Sequence, residues 1–299
     1  MDGPRRGMLV AKLTYQWNTS GGLQLDDQDP FPIFTADVST PLGLLPSDDV
    51  PRAVTAFEVM LLGCAHAKLG STEVTVSLTV GGTTRSILVI GDRDLRKEGA
   101  VSPAKPFREM PLIWERAFGG TASVLIDVAS PVLVSHPDNP YGRGFDVGAL
   151  MDNLRREVEC PPGYPQWEPQ RKLQNLESPS ETSPVVPLCW APLPKPHNRD
   201  RPHRACPDWI LQAPPAPRSV LALTNLTDEG RTELQFPDHT LLFEYVVGDR
   251  EGTRRLAPAA MVLLPEERRL YVVHRLPFTI DNPDESSRRG VLRLSRSSS

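Results

Sequence analysis

The sequence predicts a mainly β protein: an antiparallel sandwich or meander of sheets with long proline-rich loops and few short helices. Three observations carry that expectation. Proline supplies 32 of the 299 residues and is scattered along the chain, all but Pro4 lying between Pro30 and Pro283. It lacks a backbone N–H and clashes with the preceding helical turn, so long helices have little room. Apolar and polar residues alternate along several segments, the period of a strand with one buried face. Glycine pairs separate such segments where a tight turn requires positive φ. Helix bundles, coiled coils and helical solenoids are excluded, and 21 glycines are too few for a collagen-like chain.

In order, Leu9, Ala11, Leu13, Tyr15 and Trp17 share one face of an opening strand, with Lys12, Thr14 and Gln16 on the other, before Gly21-Gly22. A strand at 55–62 sets Phe57, Val59 and Leu61 together and ends at Gly63. The clearest hairpin is 73–90, where Val74, Val76, Leu78 and Val80 alternate with Thr and Ser before Gly81-Gly82. An aromatic segment at 114–118 precedes Gly119-Gly120 and a strand at 123–128, and 139–145 reads as loop because Gly and Pro punctuate it. Residues 146–158 are the helix candidate, with Leu150, Leu154 and Val158 on one stripe. Residues 161–217 hold 15 of the prolines, a long loop system. Strands resume at 219–225, 231–236, 240–247, 260–264 and 270–275. The expected organisation is one domain over 9–280, with an N-terminal β region (9–145), a helix and proline-rich loop region (146–217) and a C-terminal β region (218–280). The Ser/Arg-rich residues 281–299 are expected as a flexible tail.

Charge and chemistry narrow the function. With 33 Lys and Arg against 37 Asp and Glu, the net charge of −4 supplies no overall basic field for nucleic acid. No run of 18 apolar residues suggests a membrane span, and residues 1–8 do not read as a signal peptide, so a cytoplasmic location is expected. Cys64, Cys160, Cys189 and Cys206 are too sparse for a disulfide scaffold. Gly142-Arg143-Gly144 lacks the third glycine of a dinucleotide fingerprint. Cys64 and His66 share a strand face and form a candidate nucleophile pair that needs an orienting third group; the alternative is an ordinary core thiol. Cys189, His197, His203 and Cys206 offer a zinc-type ligand set, although their spacing matches no known knuckle, and no metal or other cofactor is assigned. The Asp92-Arg93 and Glu115-Arg116 pairs read as structural ion pairs rather than catalytic groups. Trp167, Trp190 and Trp209 either pin the proline-rich loop onto a sheet or contact a partner, and both readings stay open.

The segments Met110-Pro111-Leu112-Ile113-Trp114-Glu115-Arg116-Ala117-Phe118-Gly119-Gly120 and Asn139-Pro140-Tyr141-Gly142-Arg143-Gly144-Phe145 resemble the signature of a bacterial family of unknown function encoded in type VI secretion clusters. Further segments match in the same order: 10–15, 63–67, Gly91-Asp92-Arg93, Asn175-Leu176-Glu177, Ala213-Pro214 and 223–227. The resemblance spans about 9–280. It implies a non-enzymatic adaptor or chaperone of the cytoplasm that helps load a toxic effector, often one with a PAAR-type tip domain, onto the secretion spike. Under that resemblance Asp92, Arg93, Trp114, Glu115, Arg116, Asn139 and Arg143 organise the scaffold. The stretch 146–174 and the Arg/Ser tail depart from the family pattern, and such segments would set which effector is recognised. Two other classes stay open: a hydrolase or zinc-dependent enzyme using the proline-rich loop, and a spike component that leaves the cell with its cargo.

Overall fold

The computed structural model describes residues 5–48, 56–91, 103–113, 122–127, 130–134, 176–177, 189–192, 203–206, 209–247, 250–280 and 288–296. Asp92, Arg93, Trp114, Glu115, Arg116, Asn139, Arg143, Trp167, His197 and the helix candidate 146–158 lie outside them. The first strands are β1 (Arg5–Trp17), β2 (Leu23–Leu25), β3 (Val38–Thr40), β4 (Gly43–Leu45), β5 (Phe57–Leu61) and β6 (Cys64–His66). There follow β7 (Glu73–Val80), β8 (Thr83–Ile90), β9 (Glu109–Pro111), β10 (Ala122–Asp127), β11 (Ser130–Val134), β12 (Leu176–Glu177) and β13 (Ile210–Leu211). The last are β14 (Val220–Thr224), β15 (Arg231–Gln235), β16 (His239–Val247), β17 (Arg250–Leu264), β18 (Arg269–Ile280) and β19 (Arg288–Arg296). The 3-10 turn Pro265–Glu267 is short and the described residues are dominated by strands, so the mainly β expectation holds.

Two sheets dominate. The larger runs β13-β5-β17-β18-β1-β2, with β16 and β19 extending from β17, and the smaller runs β12-β8-β7-β14-β15. The β7–β8 hairpin forms where the alternation predicts it, and Gly81 and Gly82 take φ of +56° and +86° at its turn. The large sheet is mixed rather than purely antiparallel, because β5 pairs parallel to β17. Parallel neighbours need a crossover connection, and here the smaller sheet lies between them in sequence.

Register assigns the faces. Phe57, Val59 and Leu61 of β5, Met261 and Leu263 of β17, Leu270 and Val272 of β18, and Leu13 and Tyr15 of β1 share one side. That side and the apolar residues of the smaller sheet form one core, in which Phe57 meets the Phe236 ring edge-on at 5.8 Å. The opposite side carries Glu58, Arg275, Tyr271, Arg269, Lys12 and Thr14, and it is covered too. The central strands are therefore buried on both faces, although alternation in β1 suggests one wet side.

The expected loose tail is corrected: Arg288–Arg296 is strand β19, paired with β16 along all nine residues. Its serine and arginine content masked a strand because an edge strand carries its charged side chains into solvent at little cost. Likewise, β17 begins ten residues before the predicted 260–264, and Pro258 is accommodated at a break in its register with β18.

Candidate functional site

The proline-rich region enters the core rather than framing a ligand set. Trp190 and Trp209 are 2% and 0% exposed and meet edge-on, with ring centroids 5.9 Å apart. Trp190 O accepts from Leu61 N at 2.9 Å, and β13, directly after Trp209, pairs with β5. As partner-contact candidates these two tryptophans are corrected: they pack against their own scaffold, because neither ring reaches the surface. Of the zinc candidates, Cys189 is buried with Sγ donating to Leu112 O at 3.3 Å, and Cys206 is buried in the same core. His203 instead stands 3.8 Å from the Glu58 carboxylate. Among the described residues no three His, Cys, Asp or Glu side chains are arranged to hold a metal ion.

Several of the signature segments, far apart in sequence, meet at one joint. Gly63 to His66 pairs with Glu109–Pro111, and Leu112 N donates to Gly63 O at 2.9 Å. His66 N donates to Asn225 O at 2.8 Å, while Asn225 itself sits at φ +53° and its side-chain amide reaches Thr75 O at 2.9 Å. Asparagine tolerates that left-handed conformation, which explains its place within Leu223-Thr224-Asn225-Leu226-Thr227. The 3-10 turn contributes Glu266, whose Oε1 accepts from Cys64 N at 2.8 Å and lies 3.3 Å from His66 Nε2.

Glu266 is thus the third group that a Cys64–His66 pair requires, and no local spacing could reveal it, since it lies 200 residues from His66. The hydrogen bond to this carboxylate raises the His66 pKa, aided by the charges of Glu109 and Asp228 and opposed by burial. Cys64, however, is only 7% exposed, and Glu266 also holds its backbone amide. The constellation ties β6 to the end of β17; it orients the imidazole while leaving the thiol little access to a substrate.

A second polar group lies beneath the segment that joins β2 to β5. Lys12 Nζ pairs with Asp48 and donates to Pro32 O, each at 2.8 Å, between the Phe34 and Tyr271 rings at 4.1 and 4.3 Å. Burial lowers its pKa, and the Asp48 carboxylate opposes the shift. Arg204 makes a two-pronged contact with Asp37 at 3.0 and 2.8 Å. Glu58, 2% exposed, accepts from the backbone amides of Arg204 and of Ala205, the latter at 3.0 Å, and Arg275 Nη1 lies 4.0 Å from it. Arg269 adds ion pairs to Asp26 and Asp29 at 3.2 Å. Except for the exposed Asp29, these largely buried charges are paired as their desolvation requires, and together they latch loops onto the sheet. Glu58 was the one readable sign, a carboxylate inside the apolar run Phe57–Leu61.

Two sheets share one core, and the polar groups of the joint and of the loop latches tie loops and strands to it. The chain belongs to the family described as Uncharacterized protein conserved in bacteria (DUF2169), whose model matches residues 2–207. No curated protein and no solved structure matches it.

Proposed function

We propose that this protein is a non-enzymatic adaptor or chaperone that binds a type VI secretion effector, one carrying a PAAR-type tip domain, and helps load it onto the spike from the cytoplasm. The observation that carries the reading is a division of labour. The signature segments 63–67, 110–113 and 223–227 are spent on an internal joint, whereas exposed apolar and basic side chains gather away from it on β16 and β19. A frame held together by its own joint, with a separate exposed surface, suits a protein that presents cargo to a larger machine. Rigid strands also lower the ordering cost of binding.

Pull-down of the tagged chain from its native bacterium tests this. The expected result is an effector or PAAR-tipped spike protein recovered with it. Stoichiometric zinc without any stable partner would instead favour an enzyme.

A further inference from the structure

The three strands β17, β16 and β19 form a ribbon in which β19 is outermost, with β16 its sole partner among the described strands. Among the described residues, one side of this nine-residue strand has no neighbouring strand. We propose that this edge is a docking site for an extended acidic segment of a partner protein, which adds to the ribbon as a further strand. The proposal rests on the reading that the chain acts by binding another protein, and it names where and what kind of segment.

Charge selects the occupant. Across His239–Val247, residues 250–256 of β17, and Arg288–Arg296, seven arginines stand against two glutamates, in a chain whose net charge is −4. Arg254 and Arg255 are exposed, and Arg293 remains 67% exposed although it pairs with Glu244 at 2.9 Å. Arginines on an edge oppose pairing between two copies of the same strand, the ordinary protection of sheet edges. The same charges favour an acidic strand, so a second copy of this chain is the wrong occupant and an acidic segment the complementary one. Val291, Leu292 and Leu294, at 57%, 42% and 42% exposed, supply apolar contact on both faces of β19.

The ribbon is also preformed. The Phe243 and Tyr245 rings stack at 6.0 Å and lie over Gly290 and Gly252, close enough that a Cβ there would fall 2.4 and 2.5 Å from ring atoms. Aromatic cover of strand glycines helps to pin the register of a ribbon. Strand addition then supplies main-chain hydrogen bonds, and the arginines choose among candidate segments.

The test uses the full-length protein and a fluorescent peptide of alternating Glu and Val. Controls are the same peptide with Lys for Glu and one N-methylated at alternate amides, which keeps the charge and removes strand pairing. The expectation is that the Glu peptide binds at least about tenfold tighter than either control and weakens between about 50 and 200 mM salt. The double variant Arg289→Glu, Arg293→Glu should lose that binding with an unchanged melting temperature. Equal binding of the N-methylated or Lys peptide, or dimerisation of the wild type through this edge by sedimentation, would overturn the proposal. An effector still captured by the double variant would overturn it and leave the adaptor standing; failure of the wild type to capture any effector counts against the adaptor alone.

Discussion

Removing the Trp209 ring would open a void beside Trp190 at the point where the proline-rich region meets β5. Among the described residues Trp209 Nε1 has no hydrogen-bond partner, so the ring's contribution is read as packing. Trp209→Ala should cost about 3–5 kcal/mol, read as a shift in the urea midpoint; a change under about 1 kcal/mol would mean that the ring is not the anchor described. His274 carries the pH dependence. Buried at 2% exposure, it has its pKa pushed down to about 4 by loss of solvent. Below the usual value near 6.5 the unfolded chain gains a proton that the folded one refuses, so stability falls with pH between about 6.5 and 4. The full effect is on the order of 3 kcal/mol. His66 acts with opposite sign: its raised pKa gives stability present below the unfolded value and lost as pH rises through the folded one. Partial exposure keeps that smaller. Urea midpoints should therefore drop from pH 7 to pH 4.5, and His274→Gln should flatten the slope; an unaltered slope would assign it elsewhere. Neither role is visible in sequence, because burial of a histidine within Leu270 to Arg275 depends on what covers the sheet.

At the scale of elements, strict alternation made β7 and β8 legible to within a residue, since both period and turn glycines are local signals. The parallel β5–β17 pairing, the early start of β17 and the edge strand β19 were not legible, because each depends on a partner far away in sequence. The turn after β1 shows how one element couples the two sheets. Asn18 Oδ1 accepts from Ser20 N and Gly22 N at 3.1 and 2.9 Å, and Gly21 adopts φ +80°. A Cβ on Gly21 would sit 2.1 Å from Glu233 O, a backbone atom of the smaller sheet. Gly21→Ala should therefore destabilise by about 1–3 kcal/mol, measured by thermal unfolding. An unchanged midpoint would show that the sheets do not close on each other there.

The described residues join two main sheets through one core, latch loops with buried ion pairs and leave a basic ribbon at the edge. Composition made the mainly β class readable, while an overall negative charge concealed a locally basic surface. Whether this surface serves cargo rather than chemistry is decided by tracking the tagged chain and its partners in native cells and in their culture medium. An effector should be bound to the chain inside the cells, with the effector alone reaching the medium. Abundant secretion of the chain itself, or its isolation from cells without any effector or spike protein, would contradict it.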